Sequence, residues 1–479
     1  MSKILLTSTP PSAGNTKKVL SEINVNTAPT FVGESEYDDF DEMEIKNVMV
    51  GVFIDGTWNN RNNTEARLEY EKAKAGKTHD EVLAARYIND DVASFENYYS
   101  NVARMEPYYE KQNSEKLISF RVYIEGIGTE NFQKDSLIGG GLGAGGTGVV
   151  AKVQKACVET VNEISHYGVD EINTLTIDVF GFSRGAAAAR NLVHEVSKAY
   201  EAEKVVYTYS HGGTPIPLTV PEKPRYGHLG SELKKSETPI RMLIVRFVGI
   251  YDTVSSHGIG VLFSYDNDTK ALGLDAIRKA RFTLHLTAAD EHRRNFSLTD
   301  ITSALSVGRG KEFSLPGVHA DLGGSYNNGE EEKRQFDYNE SENVINQGWY
   351  NTGELKTVRY DRYGRPTVVE GTRTLPNTYS HIPLSVMADF TEKKGLPIKT
   401  GPLKSSYAIP SSLNAVKNRI HDYVFKDGKP LNFESKADRA LLKPLRRNYL
   451  HFSAQYGSLT SGARRKFWSR KRYRKIVAG

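Results

Sequence analysis

The sequence has 479 residues, of which 38% are hydrophobic and 25% are charged, and its formal net charge is +5. This ordinary soluble composition is long enough for one large domain with insertions or for two domains. The longest apolar runs have strand length, which excludes a transmembrane helix, and residues 1–40 lack the apolar segment of a secretory signal. The single cysteine, Cys157, can form no internal disulfide, so we expect a protein made in the cytoplasm.

The N-terminal part of the chain alternates between strand and helix patterns. Residues 1–44 have the composition of a flexible leader, and the polar region from Asn59 to about residue 115 is typical of helices. A glycine-rich loop at 139–148 precedes a further helix pattern. The remaining predictions here are buried strands at Asn47–Ile54 and Leu117–Ile124 and a helix at Val149–Ile164.

The most informative stretch follows, where a strand pattern from Thr174 gives way to an alanine-rich helix pattern from Ala186. Between them stands Gly181-Phe-Ser183-Arg-Gly185, which matches the GxSxG nucleophile elbow. A sharp strand-to-helix reversal forces strained backbone angles on its central residue, and the two glycines leave room where the elements close up. The hydroxyl then lies at a helix N-terminus, which favours an oxyanion. We therefore predict that Ser183 is a nucleophile.

The alternation of strands and helices predicts an α/β-hydrolase-like fold, with a mostly parallel sheet and helices on both faces. Active groups in such sheets lie beyond the carboxyl ends of the strands. Asp252 follows the apolar run Arg241–Ile250, and the acid follows the serine in the chain order of α/β-hydrolases. We predict that Asp252 is the acid, although a strand-end turn residue suits the same position.

A serine hydroxyl needs a base, and the acid holds that base in the correct tautomer. Glycines on both sides of His319 are typical of a tightly turned catalytic loop, so we predict that His319 is the base. A lone histidine is more often structural, and three others compete for the role. One lies too close to Asp252 in sequence and another lies in a helical pattern that spans 271–294; the three competitors are His257, His285 and His292.

The predicted oxyanion hole uses the backbone N–H of Arg184, the residue after the nucleophile. A second donor should come from a loop after another strand. Asp55-Gly56-Thr57 follows the first strand, and glycine lets a backbone approach a substrate closely, so we predict Gly56 or Thr57.

Other motifs give weaker predictions. Residues 141–146 contain GxGxxG before a helix, as in a dinucleotide-binding loop, but the glycines lie well beyond the preceding strand. We interpret this segment as a flexible gate. The sequence has no P-loop, HExxH or paired CxxC motif, so we expect neither a metal site nor a cofactor.

The character of the chain changes after residue 330. A hairpin pattern at Leu355–Glu370 and helix patterns at 382–394 and 435–449 predict an appended subdomain. We therefore divide the chain into a leader at 1–44, a catalytic core at 45–330 and a capping or membrane-contact region at 331–479. Its last residues form a basic tail, which could meet an anionic membrane or nucleic acid, or could be a solvated helix. The basic residues are Arg464, Arg465, Lys466, Arg470, Lys471, Arg472, Arg474 and Lys475.

Taken together, five motifs resemble those of the type VI secretion phospholipase effectors of the first lipase-effector family, an α/β-hydrolase family. They occur in family order over residues 47–330, whereas the region after 330 matches poorly. The resemblance implies a triad at Ser183, Asp252 and His319. The motifs are Phe53-Ile-Asp-Gly-Thr-Trp-Asn59, the elbow, Gly249-Ile-Tyr-Asp-Thr-Val254, Asp290-Glu-His-Arg-Arg294 and Pro316-Gly-Val-His-Ala-Asp-Leu-Gly-Gly-Ser-Tyr326.

For function, the resemblance implies an antibacterial toxin that hydrolyses acyl esters of glycerophospholipids, at the first or second position. It also implies delivery by a spike or tube component into a competitor's periplasm, and a periplasmic immunity protein in the producer. Two alternatives stay open: a soluble carboxylesterase or thioesterase that acts on short substrates, and a non-catalytic α/β binding module. We expect a phospholipid membrane as substrate and no nucleic acid.

Overall fold

The computed structural model describes residues 46–77, 80–136, 145–198, 205–209, 215–219, 227–255, 269–455, 462–466 and 472–479. Four sequence predictions lie outside these residues: the leader, most of the glycine-rich loop (139–144), His257, and part of the basic tail with Arg470 and Lys471.

The described part of the chain contains both strands and helices throughout. The strands are β1 (Lys46–Ile54), β2 (Gln112–Asn113), β3 (Leu117–Ile124), β4 (Ile172–Phe182), β5 (Val205–Tyr209), β6 (Pro215–Thr219), β7 (Ile240–Tyr251), β8 (Phe282–Ala288), β9 (Leu298–Thr299), β10 (Gly310–Leu315), β11 (Glu330–Asp337), β12 (Leu355–Tyr360), β13 (Pro366–Leu375) and β14 (Ile476–Val477). The α-helices are α1 (Arg61–Lys74), α2 (Glu81–Ala84), α3 (Ala93–Glu96), α4 (Asn101–Met105), α5 (Val149–His166), α6 (Arg184–Val196), α7 (Gly227–Lys235), α8 (Thr269–Leu272), α9 (Thr302–Leu305), α10 (His319–Gly323), α11 (Ser341–Asn346), α12 (His381–Lys393), α13 (Thr400–Ser406), α14 (Asn414–Phe425) and α15 (Lys436–Asn448).

A seven-stranded sheet in the order β10-β8-β7-β4-β1-β3-β2 forms the centre of the protein. All its neighbouring pairs are parallel except the short edge strand β2. Ile54 at the end of β1 pairs with Ile124 and Gly181, so the carboxyl ends of three adjacent strands lie at one edge. The predicted α/β-hydrolase-like architecture is therefore confirmed, and the loops after β4 and β7 lie side by side.

Hydrophobic cores cover both faces of this sheet. On one face the alanine-rich helix α6 packs with α5 and α7, where small side chains such as Ala187 allow close approach. On the other face an aromatic core includes Phe53 and Phe180, whose rings stack at 4.6 Å. Residues after 330, among them Met387 and Val424, are buried in this second core. The predicted C-terminal region thus packs against the sheet itself, whereas the boundary at residue 330 stays a prediction.

One prediction of secondary structure is wrong, and one alternative that the sequence left open does not hold for the described residues. Residues 271–294 are not helical throughout, because Phe282–Ala288 forms β8 between β7 and β10. Every side chain of β8 is buried, so burial in the sheet overrides the helix-like spacing of its apolar residues. The basic tail is not a helix in its described residues, since Ile476 and Val477 pair with β9 as a short strand.

No helix among the described residues has both the length and the apolar character needed to cross a membrane.

Candidate active site

The elbow has the strained geometry that its sequence predicts. Ser183 lies between β4 and α6 with φ 61° and ψ −127°, a backbone conformation that residues other than glycine rarely adopt. A Cβ atom on Gly181 would lie 2.5 Å from the Gly185 carbonyl oxygen, and one on Gly185 would lie 2.1 Å from the Asp55 carbonyl oxygen. Both glycines are therefore required by close packing, and the helix is held directly against the end of β1.

The backbone of Ser183 is bonded to the neighbouring loop that carries Asp252. The Ser183 N–H donates to the Tyr251 carbonyl oxygen at 3.1 Å, and the Val254 N–H donates to the Ser183 carbonyl oxygen at 3.3 Å. Residues that are 69 positions apart in sequence thus lie next to each other at the sheet edge, as the parallel register of β4 and β7 requires.

Asp252 and His319 form a buried hydrogen-bonded pair. The Nδ1 atom of His319 lies 2.5 Å from Oδ2 of Asp252, and the two side chains are 7% and 0% exposed. An ionised carboxylate can only accept, so Nδ1 carries the hydrogen and Nε2 keeps a lone pair. This is the tautomer that a general base of a serine hydrolase needs.

Two aromatic rings hold the imidazole of His319 next to the elbow. Phe182, the residue before Ser183, has its ring centroid 4.6 Å from that of His319. Phe296 meets the imidazole edge-on at 4.8 Å. Within the described residues the Ser183 hydroxyl and His319 are not hydrogen-bonded, and in enzymes without substrate such contacts are often long.

The pKa values of the pair favour an ionised acid and a neutral base. Burial by itself raises the pKa of Asp252, but the Arg474 guanidinium and His319 outweigh it and hold this pKa well below its usual range. Burial lowers the pKa of His319, and the hydrogen bond and charge of Asp252 offset this only in part. His319 is therefore neutral and able to accept a proton at neutral pH.

Glu291 organises the loop that lies against His319. Its buried carboxylate accepts the backbone N–H of His319 at 3.3 Å and the Ser453 hydroxyl at 2.9 Å. It also pairs with the Arg293 guanidinium at 2.8 Å, and Arg293 lies 3.4 Å from the ring centroid of Phe296. The acidic residue thus fixes both the backbone of the base and the ring that packs on it.

The residues predicted for the oxyanion hole also lie at the elbow. The Arg184 Nε–H donates to the Thr57 hydroxyl at 2.8 Å, which joins the loop after β1 to the first residue of α6. The Gly56 N–H donates to the Asp55 carboxylate at 2.7 Å, so this hydrogen is already used in the present conformation. Of the two alternatives from this loop, the arrangement favours the Thr57 N–H over that of Gly56.

The rival histidines are placed differently. His285 lies fully buried in β8, where Nδ1 is 2.8 Å from the Glu312 carboxylate and Nε2 accepts the Thr253 N–H at 3.1 Å. Both its nitrogens are used, and it supports the Asp252 loop through Thr253. Burial lowers the pKa of His292 to about 4. Of the three described histidines with a predicted claim to the role of base, only His319 contacts Asp252.

Arg474 is the main residue of the site that sequence reasoning missed. The sequence places it in the basic tail, 222 residues after Asp252, and no spacing links the two. Glu291 and Arg293 belong to one of the five motifs, but their contacts with the base could not be read from the motif alone. Among the described residues no group of three His, Cys, Asp or Glu side chains could hold a metal ion.

Comparisons with known proteins give a matching family and a similar fold. The family model for "T6SS, Phospholipase effector Tle1-like, catalytic domain" matches residues 49–347. A solved structure of the Tle1 effector bound to the VgrG spike of the type 6 secretion system is 20% identical, with 93% of this chain and 98% of that chain covered and a TM-score of 0.52. An uncharacterised protein from Pseudomonas aeruginosa is 16% identical over 80% of this chain and 51% of its own, with a TM-score of 0.39. No curated protein matches the chain significantly.

Proposed function

Since this chain belongs to the Tle1-like phospholipase effectors of type VI secretion systems, we propose that it hydrolyses phospholipid acyl esters with Ser183 as its nucleophile. The observation that carries this proposal is the buried Asp252–His319 pair, packed through Phe182 against the strained elbow. Acid, base and nucleophile then occupy the chain order and positions of a serine hydrolase triad.

The proposed reaction has two acyl-transfer steps. His319 Nε2 takes the proton of the Ser183 hydroxyl as the oxygen attacks the ester carbonyl, and Asp252 stabilises the imidazolium. The oxyanion accepts hydrogen bonds from the backbone N–H groups of Arg184 and Thr57. As the ester bond breaks, the imidazolium gives its proton to the leaving lysophospholipid oxygen. Water, deprotonated by His319, then attacks the acyl-enzyme, and the imidazolium returns this proton to the Ser183 oxygen as the fatty acid leaves.

For membrane contact we propose a second surface in addition to the basic tail. In the basic tail, Arg474 pairs with Asp252 and Arg472 with Glu340, so these two cations do not face a membrane. The hairpin of β12 and β13 exposes Tyr360 at the end of β12 and Tyr363 in the turn, which are 58% and 64% exposed. Tyrosine favours membrane interfaces, and we propose that this hairpin of the C-terminal region meets anionic lipid.

Delivery and protection are further proposals, made on the basis of the family. The structurally similar Tle1 effector is bound to a VgrG spike, and we propose that a spike or tube component carries this chain as well. The proposed site of action is the periplasm of a target bacterium, and the producer would carry a periplasmic immunity protein that blocks the site. We also propose residues 45–330 as the catalytic core and 331–479 as the region for capping and membrane contact.

The first test is the replacement of Ser183 by Ala. We expect phospholipid turnover to fall by a factor of about a million, because the acyl-enzyme can no longer form. Purified protein is incubated with defined phospholipids, and the released fatty acid and lysolipid are identified by mass spectrometry. Ser306→Ala, at an exposed serine directly after α9, is the matched control and should keep full activity.

Three outcomes separate the proposal from its alternatives. Retained turnover in Ser183→Ala sinks the assignment of the nucleophile. Turnover of short-chain esters without turnover of phospholipid indicates a soluble esterase. Failure of a fluorophosphonate to label Ser183 in the folded protein indicates a non-catalytic module.

A further inference from the structure

The carboxylate of Asp252 is held by a cation from the C-terminal segment of the chain. Arg474 approaches it end-on, with Nη1 2.5 Å from Oδ1 and Nη2 2.9 Å from Oδ2. Oδ1 also accepts the Ala288 N–H at 2.8 Å, while Oδ2 faces His319. The Arg474 side chain is only 7% exposed, so both members of this pair are withdrawn from water.

Hydrogen bonds to the loop after β8 and to β9 hold Arg474 in place. Its Nε–H donates to the Phe296 carbonyl oxygen at 2.7 Å, on the same residue whose ring packs on His319. The segment 472–479 is tied to the core by the pairing of β14 with β9 and by main-chain bonds beyond it. These run from Leu298 N–H to Lys475 O at 2.9 Å, from Asp300 N–H to Val477 O at 3.0 Å and from Ser303 N–H to Gly479 O at 2.9 Å.

We propose that Arg474 is a positioning residue of the active site, so that the C-terminal segment 472–479 completes the triad by fixing the plane of the Asp252 carboxylate. This rests on the proposed function. A guanidinium is planar and its paired N–H groups match a carboxylate, so a bidentate contact fixes orientation as well as position. With both oxygens held, Oδ2 keeps a lone pair aimed at His319 Nδ1. Arg474 lies outside the 49–347 range of the family model.

The same contact sets the electrostatic balance of the base. Three charged groups act on the imidazole, namely Asp252 from the loop after β7 and Glu291 and Arg293 from the loop after β8. Arg474 from the C-terminal segment acts through its pair with Asp252. The guanidinium offsets the negative charge that would otherwise stabilise the imidazolium. Its removal should therefore raise the pKa of His319 and leave more of the base protonated near neutral pH.

The experiment compares five full-length proteins: wild type, Arg474→Met, Arg474→Ala, Arg474→Lys and Lys475→Met. For Arg474→Met we expect kcat on phospholipid to fall on the order of 100-fold, as for small misplacements of a reacting group. We also expect the acid limb of the kcat/KM profile to move to higher pH. Lys475 is exposed in the same segment, so Lys475→Met removes an equal charge and should leave both properties unchanged.

Two further measurements separate positioning from folding. Added guanidinium ion should restore part of the activity of Arg474→Ala at concentrations too low to unfold the protein. Arg474→Lys keeps the positive charge but loses the paired N–H groups of the guanidinium. It should fold with a near-native melting temperature and show a kcat between those of wild type and Arg474→Met. If Arg474→Met does not fold, the kcat and pH profile of Arg474→Lys decide whether residue 474 positions Asp252. Wild-type kcat and pH profile in both Arg474→Met and Arg474→Lys would overturn the proposal. The Ser183→Ala variant in the same assay tells the two failures apart. If Ser183→Ala is inactive, wild-type behaviour of the Arg474 variants refutes only the role of Arg474. If Ser183→Ala is active, the triad itself is refuted.

Discussion

At the residue scale, Asp252 has the most demanding position in the site. It is fully buried with a φ of 45°, and its backbone N–H donates to the Leu286 carbonyl oxygen at 2.8 Å. Its two oxygens accept hydrogen bonds from Ala288, His319 and Arg474. A buried charge with so many partners is stabilised only as long as all of them remain.

Replacing Asp252 by Asn should therefore affect stability as well as turnover. We expect a loss of about 3–5 kcal/mol in the free energy of unfolding, because Arg474 is left as a buried cation without a counter-charge. The double variant Asp252→Asn with Arg474→Met should regain much of this stability. It should stay inactive, since His319 has lost the carboxylate that fixes its tautomer.

Urea unfolding and phospholipid turnover of the three proteins check this expectation. If the double variant is no more stable than Asp252→Asn alone, the unpaired charge of Arg474 is not the cause of the stability that Asp252→Asn loses.

At the scale of elements, the hairpin of β12 and β13 is built to present its turn. The Asp361 carboxylate accepts the backbone N–H of Tyr363 at 2.7 Å and of Arg365 at 2.9 Å, so its oxygens are used to close the turn. The guanidinium groups of Arg362 and Arg365 lie 4.7 and 5.0 Å from the ring centroid of Tyr363. Aromatic rings and cations thus share one exposed end, which suits an anionic lipid surface.

The double variant Tyr360→Ser with Tyr363→Ser should weaken binding to vesicles that contain anionic lipid, because the apolar rings no longer enter the interface. The double variant Arg362→Gln with Arg365→Gln should also weaken vesicle binding, by roughly 1 kcal/mol of binding free energy for each charge removed. Its binding should depend less on salt than that of wild type. Turnover of a soluble short-chain ester should not change in either variant.

Vesicle sedimentation at low and high salt measures the effect. Val82→Ser, at a valine that is 74% exposed on α2, is the control for the loss of an exposed apolar side chain. Equal vesicle binding by all of these proteins would remove the hairpin from the proposed mechanism.

At the scale of the whole molecule, burial and partial burial move the pKa values of several groups away from their usual range and in opposite directions. Burial lowers the pKa of both His292 and His381 to about 4. Burial raises the pKa of Asp55 in spite of its hydrogen bonds. The dependence of stability on pH is therefore a sum of opposing contributions, and a single substitution is needed to isolate one of them.

His381 is suitable for that substitution, because it lies outside the proposed triad and its replacement removes a single site that binds one proton. Its folded pKa is below the unfolded value of about 6.5, so its contribution is complete above that pH and is lost as the pH falls toward 4. His381→Gln should therefore lose less stability than wild type over this window, by at most about 1.4 kcal/mol per pH unit. Urea unfolding at several pH values between 4 and 7 gives the difference, and parallel curves for the two proteins would contradict it.

The sequence by itself determined the elements whose residue types leave few choices. The apolar runs of β1, β4 and β7 and the small residues around Ser183 predict buried strands and a tight reversal, because each property acts between near neighbours. The candidate triad was also chosen from sequence, since chain order and strand-end position are local features. Its catalytic role stays a proposal, but the contact between Asp252 and His319 is present in the structure.

Only the tertiary structure decided the rest. The strand that carries His285 resembles a helix until its burial between β7 and β10 is known. Arg474 looks like any other residue of a basic tail, and it becomes part of the site only because β14 pairs with β9. Contacts between residues more than 200 positions apart depend on how the whole chain packs, and no local pattern of charge or hydrophobicity encodes them.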